Sequence, residues 1–297
     1  MRGFAEFVMR GRWQAIMVMV AASSLPFLAW LGGAVLALVT LRRGARDGAF
    51  LVAGAAAVVA LVYLLFGLSP MGALRPMLEL WLPVLIGGYW LRRTVSLSST
   101  LRLLSGMAGL LVVGFHLLVA DPEAYWRGIL QELGRLFTDG APEAEQAWMA
   151  MVEQLLPIMT GLLAMTVLVM VTLSLLLGRS LQAALYNPGG FREEFHGLDL
   201  GRAYALGVAG LLVGAMFAGG GMLSDLMIVM GAPFVLQALA VAHSVVARQA
   251  WSSGWLIAVY ALVPLAFQLL MVAGMIDTAL NWRRLVTDSG SDGPPGS

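Results

Sequence analysis

The segment 186–198 concentrates the side chains of this sequence that could do chemistry. It reads Tyr-Asn-Pro-Gly-Gly-Phe-Arg-Glu-Glu-Phe-His-Gly-Leu, in which an Asn-Pro-Gly-Gly turn is followed by a charged cluster between two aromatic residues. On a short helix, Glu193 and His196 would share a face and could ligate a metal ion, but two ligands do not make a site. We therefore predict no metal site and no cofactor.

The same segment has three other interpretations. It could form an internal ion-pair network, a contact with a cytoplasmic partner, or a plain solvated loop. The residues predicted to bind a partner are Asn187, Pro188, Gly189, Gly190, Arg192, Glu193, Glu194 and His196.

Ionisable side chains within apolar stretches are costly in a membrane and therefore mark possible function. Here they are Glu79, His116, Asp225, His243 and Asp277. Contact with water near an interface is the simplest explanation for all five. Glu79, with Trp81 and Arg75 nearby, is the best candidate for a polar pocket that opens outward. Two glutamines could hydrogen-bond to a ligand or between helices. The predicted ligand-binding residues are Glu79, Trp81, Gln237 and Gln268.

Common enzyme motifs do not occur in this chain. There is no cysteine, and all eighteen basic residues are arginine, which excludes thiol chemistry, Schiff-base chemistry and a phosphate-loop lysine. Neither HExxH nor GxSxG is present. Ser105, Ser174 and His243 have no spacing that favours an intramembrane serine hydrolase. We predict that the protein is not an enzyme.

The elements that carry these residues are predicted to be membrane helices. The chain is 60% hydrophobic and 12% charged, a composition far outside the range of soluble proteins. This predicts an all-α, polytopic membrane protein whose first partner is the lipid bilayer. A net charge of +1 argues against nucleic acid as a partner. Eight or nine transmembrane helices are predicted, at 13–23, 26–41, 50–67, 76–90, 101–120, 157–177, 203–219, 226–246 and 255–275.

Arginine distribution predicts the orientation, because cytoplasmic loops are enriched in basic residues. With a cytoplasmic N-terminus, thirteen arginines fall inside and only Arg75, Arg127 and Arg135 fall outside before the tail. Nine spans would place Arg283 and Arg284 outside, against the rule, so the last span is ambiguous. The absence of lysine indicates a GC-rich bacterial genome. We predict the bacterial inner (cytoplasmic) membrane.

The first apolar run, residues 13–41, is about 44 Å long as one helix, too long for one pass and short for two. A cleaved signal peptide is a weaker alternative, because the run continues past Ser23 to Leu41. The Ser-Ser-Leu-Pro break favours a hairpin of two passes.

Residues 1–286 are predicted to form one membrane domain, with a cytoplasmic loop at 179–202 and a disordered tail at 287–297. Residues 121–154 hold seven carboxylates, two arginines and apolar residues at helical spacing, and predict an amphipathic hairpin on the outer surface. It could be an interfacial brace or a lid over an outward site. Gly210, Gly214 and Ala218 line one helix face, which favours close helix packing or a docking face.

Three stretches resemble the YybS-like family of bacterial membrane proteins (DUF2232). They are the 186–196 segment, the late Gly-Met-Ile-Asp at 274–277 with Arg283 and Arg284, and Leu25-Pro26 followed by the Arg-Arg-Gly-Ala-Arg-Asp-Gly of 42–48. The last is also similar to the S components of energy-coupling-factor transporters, with which that family is grouped as a distant relative.

The resemblance implies an inner-membrane helical protein with an S-component-like core that binds a small molecule. Such subunits use a separate coupler and separate ATPases. They usually have six spans and a small-residue coupling motif in the first helix, whereas residues 15–19 read Ala-Ile-Met-Val-Met here. The cell-shape protein family MreD is another relative and implies a scaffold.

Two functions follow as hypotheses. The first is a substrate-binding transporter subunit whose ligand enters from outside near Glu79, Trp81 and the hairpin. The second is a membrane scaffold or assembly protein that recruits cytoplasmic partners through residues 186–202.

Overall fold

The computed structural model describes residues 2–25, 28–138 and 141–280. These residues form helices and no strand. The predicted disordered tail at 287–297, Arg283 and Arg284 lie outside the described residues. The first seven helices are α1 (Arg2–Arg10), α2 (Arg12–Ser23), α3 (Ala29–Arg43), α4 (Ala45–Leu65), α5 (Leu74–Pro76), α6 (Leu82–Thr94) and α7 (Leu97–Leu118).

The second half of the chain contains eight helices within the described residues. They are α8 (Pro122–Phe137), α9 (Pro142–Leu155), α10 (Met159–Tyr186), α11 (Gly190–His196), α12 (Arg202–Ala218), α13 (Met222–Arg248), α14 (Gly254–Leu262) and α15 (Phe267–Leu280). A π-helical turn, Met77–Trp81, precedes α6. A single 3₁₀ turn, Leu156–Ile158, separates α9 from α10, and the two form one continuous helical run of 45 residues.

Four helical segments are long and apolar enough to cross a membrane, and a fifth is added if α14 and α15 count together. The four are α4, α7, α9 with α10, and α13. The other predicted spans coincide with shorter helices: α2 has 12 residues, α3 has 15 and α12 has 17. A straight pass through the hydrocarbon core takes about 20 residues. The all-helical membrane architecture is therefore confirmed at the level of four to five candidate spans.

The first apolar run forms two helices that pack together, as predicted, whereas their two passes through the membrane stay a prediction. Helix α2 ends at Ser23, α3 begins at Ala29, and the two helices pack against each other. Gly32 makes this contact close, since a Cβ there would lie 2.9 Å from the carbonyl oxygen of Met19. Residues 32–41 of α3 are all buried, because α2, α4, α6 and α10 surround this helix.

The arginine end of the bundle is defined by Arg42, Arg92, Arg102 and Arg179, which lie where α3, α6 and α10 finish and α7 begins. Arg92 donates to the carbonyl of Leu41 at 2.6 Å, and the Arg42 guanidinium lies 4.1 Å from the centre of the Tyr186 ring. The basic residues that the sequence assigns to one side of the membrane are thus gathered at one end of the fold.

The hairpin end is the opposite end, defined by α8 and α9. These helices form the predicted hairpin. Arg127 donates to Glu153 at 2.8 Å across it, and the Trp148 indole donates to the Leu130 carbonyl at 2.8 Å. The hydrogen bond to Glu153 raises the pKa of the exposed Arg127 guanidinium above its ordinary value. The structure shows the two helices packed together, whereas their place on the outer membrane surface stays a prediction.

The last helix, α15, runs in the same direction as α13. Gly231 of α13 faces Met271, Phe234 faces Gly274 and Gln237 faces Asp277, a constant offset of forty residues. The preceding helix, α14, returns along α13 in the opposite direction, since Tyr260 contacts His243. The chain bends by 112° between α14 and α15. The chain therefore runs away from the arginine end along α14 and back toward that end along α15.

Candidate functional site

The bend between α14 and α15 borders two cavities. Pro264 and Phe267 line both of them. The first, here the α10–α13 cavity, has a volume of about 400 Å³ and lies between the middle of α10 and the middle of α13. The second, here the Gln268 cavity, has a volume of about 470 Å³ and lies nearer the hairpin end, against Ile158 and Met227. Both volumes suit small ligands, whose pockets measure roughly 300–1,000 Å³.

The bend also interrupts the backbone hydrogen bonding of a helix inside an apolar region. The amide of Ala266 still reaches the Leu262 carbonyl at 2.7 Å, but the helix does not continue in the same direction. Non-helical backbone at membrane depth is tolerated where protein buries it or where it lines a cavity. The bend therefore places backbone polar groups where a bound molecule could use them.

Gln268 lines the second cavity as the predicted ligand-binding residue nearest a pocket. Its side chain is exposed, and the rest of the cavity wall is apolar. No other predicted ligand-binding residue lines either cavity.

Gln237 serves a buried network that joins three segments. Its side-chain oxygen accepts from the Leu200 amide at 2.9 Å, and its nitrogen donates to Asp277 Oδ2 at 2.9 Å and to Thr278 Oγ1 at 3.0 Å. The side chain is fully buried. Its hydrogen bonds therefore lock α13 to α15 and to the segment before α12, as the interhelical alternative predicted.

Glu79 and Trp81 lie in different environments. Glu79 is half exposed and bonded to Arg75 at 2.9 Å, one turn earlier in the chain. Trp81 is fully buried in the apolar core, and its indole nitrogen has no hydrogen-bond partner among the described residues. The π-helical turn of Met77–Trp81 directs the two side chains apart. They do not face a shared pocket.

The segment predicted to bind a partner divides into an inward and an outward half. Glu194 bonds inward to Arg179 at 2.7 Å, and both side chains are largely buried. Phe195 is buried beside it. The outward half is exposed and consists of Asn187, Pro188, Gly189, Arg192 and Glu193. Gly190 and His196 are partly buried. The ion-pair interpretation thus holds for Glu194, whose partner lies on α10 rather than within the segment.

The imidazole of His243 packs against this segment. Its Nε2 lies 2.9 Å from the Tyr260 hydroxyl, and the Phe195 ring packs edge-on against it at 5.5 Å. The two serines weighed as nucleophiles are engaged elsewhere: Ser105 bonds to Tyr204 at 2.7 Å, and Ser174 donates to the Trp30 carbonyl at 2.8 Å. Among the described residues, neither serine forms a dyad with His243.

A buried acid–imidazole pair at the hairpin end was not anticipated as a pair. Asp225 Oδ2 lies 2.7 Å from His116 Nε2, and Asp225 Oδ1 accepts from the Gly161 amide at 2.7 Å. Asp225 is 2% exposed. The sequence marks both residues as ionisable groups near the outer side, but 109 positions separate them and only the fold brings them together.

No group of three or more potential metal ligands occurs in the described ranges. Comparison with models of known protein families, with curated proteins and with solved structures finds no match to this chain.

Proposed function

We propose that this chain is a non-enzymatic, small-molecule-binding subunit of a membrane transporter, of the S-component type, in a bacterial inner membrane. The observation that carries the proposal is the bend between α14 and α15, which borders two open cavities in the apolar surface of the bundle. Transporters place their binding sites at such discontinuous helices, where free backbone groups and a cavity coincide.

The Gln268 cavity is the proposed substrate site. It lies toward the hairpin end, which the arginine distribution assigns to the outside, and Gln268 supplies one side-chain amide in an otherwise apolar wall. This composition favours a small, mostly apolar substrate with one or two hydrogen-bonding groups. Glu79 and Trp81 fit this proposal less well, because one is paired with Arg75 and the other is enclosed in the core.

The proposed topology has eight crossings and a cytoplasmic N-terminus. The arginine end faces the cytoplasm, and α14 with α15 forms a re-entrant pair that enters and leaves on that side. The parallel course of α13 and α15 supports this arrangement. The YybS-like assignment belongs to the same proposal and rests on the residues of the 186–196 segment.

The experiment that tests the substrate site is a thermal-shift screen of the purified protein against a metabolite panel. A ligand found in this way should bind about fivefold more weakly to Gln268→Leu, since one hydrogen bond contributes on the order of 1 kcal/mol. Gln249→Leu, an exposed glutamine after α13, is the matched control and should bind normally. A panel without any stabilising molecule would contradict the proposal.

A scaffold role is the second candidate, and the outward half of the 187–196 segment supports it. Five of its residues are exposed at the arginine end. Photo-crosslinking in cells from positions 192 and 193 tests this role. Capture of one specific soluble protein would favour the scaffold, whereas capture of an ATPase module would favour transport.

A further inference from the structure

The α10–α13 cavity has a polar boundary at one end only. Its wall consists of leucine, valine, alanine, proline and phenylalanine, with Thr172 and Tyr260 as the polar exceptions. Tyr260 stands toward the arginine end, where its hydroxyl lies 2.9 Å from His243 Nε2. Leu239, one turn before His243 on α13, also lines the wall. The cavity is therefore apolar, and Tyr260 at its polar end contacts the imidazole of His243.

Positive charge gathers at that polar boundary. Helix α11 packs against the imidazole of His243, since the rings of Phe195 and His196 lie 5.5 Å and 6.4 Å from it, and Arg192 lies one turn before His196 on this helix. Arg192 is exposed, and within the described ranges it takes part in no ion pair. The neighbouring Glu194 is already paired with Arg179, and Glu193 is exposed. The boundary thus has an unneutralised guanidinium.

We propose that this cavity binds one acyl chain of an anionic phospholipid whose phosphate lies against Arg192 and His243. The apolar wall suits a hydrocarbon chain, and the basic boundary suits a phosphate. Basic pockets between membrane helices at the cytoplasmic side recognise anionic headgroups in this way. A small polar metabolite would leave its hydrogen-bonding groups unsatisfied along most of the wall.

This inference goes beyond the proposed function, because it concerns a different cavity and a different class of molecule. It also explains why α11 carries aromatic residues beside its charges. Phe191 and Phe195 stack at 6.0 Å, and Phe195 packs against His243. They hold the headgroup end of the cavity together whether or not the Gln268 cavity binds a substrate.

The test is native mass spectrometry of the full chain in detergent with phosphatidylglycerol or phosphatidylcholine of identical acyl chains. Phosphatidylglycerol should be retained about fivefold more, since one basic side chain near an anionic headgroup contributes that much. Arg192→Gln should remove the preference, and Arg46→Gln, another exposed arginine, should preserve it. Equal retention of the two lipids would identify ordinary annular lipid and overturn the proposal.

Thr172→Trp, which fills the wall, should reduce retention of phosphatidylglycerol, whereas Val213→Trp on the exposed face of α12 should not. Phosphatidylglycerol with a photoreactive acyl chain provides a measurement on the unmodified protein, independent of how the tryptophan variants fold. Labelling of residues 168–176 or 232–239 is the expected result. Labelling confined to other helices would overturn the proposal.

Discussion

His116 and Asp225 meet at 2.7 Å (Nε2 to Oδ2) although 109 residues separate them, and their contact ties the end of α7 to the start of α13. The second carboxylate oxygen accepts from the Gly161 amide at the start of α10. Next to this amide, Thr160 accepts from the indole of Trp126 on the α8–α9 hairpin at 2.8 Å. The Asp225 carboxylate therefore joins α7, α10 and α13 directly. Through Gly161 it also fixes the residue next to Thr160, which contacts the hairpin.

Removal of this carboxylate should destabilise the bundle strongly. In Asp225→Ala, the Gly161 amide and the His116 ring lose their buried partner, and breaking a buried pair costs about 3–5 kcal/mol. Asp225→Asn keeps an acceptor for the Gly161 amide, so its stability should lie between that of Asp225→Ala and that of the unmodified protein. Thermal unfolding in detergent measures the change, with Glu143→Ala, an exposed carboxylate on α9, as the control. An unchanged midpoint for Asp225→Ala would show that the contact contributes nothing.

Glycine sites should differ sharply in their tolerance of alanine. At Gly161 a Cβ would lie 2.6 Å from the Cα of Asp225 and 2.9 Å from its carbonyl oxygen, so Gly161→Ala must separate α10 from α13. At Gly210 nothing lies within 4 Å. Gly210→Ala should therefore unfold at the same or a slightly higher temperature, because alanine favours a helix by roughly 1 kcal/mol. Equal loss of stability in both variants would refute the close approach of α10 to α13.

The return of α15 toward the arginine end predicts which positions share a side of the membrane. The chain lacks cysteine, so an introduced cysteine is the only thiol in the protein that a maleimide can label. Trp251→Cys and Leu280→Cys should react alike with an impermeant maleimide, and Glu143→Cys on the hairpin should react in the opposite preparation. Intact spheroplasts and inverted vesicles provide the two preparations. Opposite labelling of positions 251 and 280 would require α14 and α15 to cross the membrane as one span.

The two halves of the 187–196 segment should respond differently to alanine. Arg179→Ala removes the partner of Glu194, and both side chains are at least 84% buried, so stability should fall by about 2 kcal/mol. Alanine at Arg192, Glu193 and His196 together should leave membrane insertion intact. Fluorescence-detected size-exclusion chromatography measures the stability of Arg179→Ala, and membrane fractionation measures the insertion of the triple variant. Loss of insertion in the triple variant would assign these three residues to the fold instead.

Hydropathy and turn residues predicted much of the architecture. The Ser-Ser-Leu-Pro break predicted the α2–α3 hairpin, and apolar spacing around Asp139 and Gly140 predicted α8 and α9, although this turn itself lies outside the described residues. These features are encoded locally, because a helix ends where its own residues stop favouring it. Hydropathy does not reveal the 112° bend before α15, since residues 263–266 are as apolar as their neighbours; Pro264, which breaks a helix, is the local signal that was not used.

Pairings between distant residues were the part that sequence could not predict. The stripe at Gly210 and Gly214 indicated close packing, yet the tight approaches occur at Gly161, Gly178 and Gly274. A glycine permits a close approach but does not specify its neighbour. Gln237 and Gln268 looked equivalent in sequence, and only the course of α15 along α13 makes one a buried connector and leaves the other in a cavity.

The continuous run from α9 through α10 has a mechanical consequence. Forty-five helical residues make a rod of about 68 Å, which exceeds the full thickness of a bilayer by roughly 25 Å. The run connects the hairpin at one end of the fold to Tyr186 at the other. A tilt imposed by any load on the hairpin would be delivered, on the other face of the membrane, to the turn that begins at Asn187.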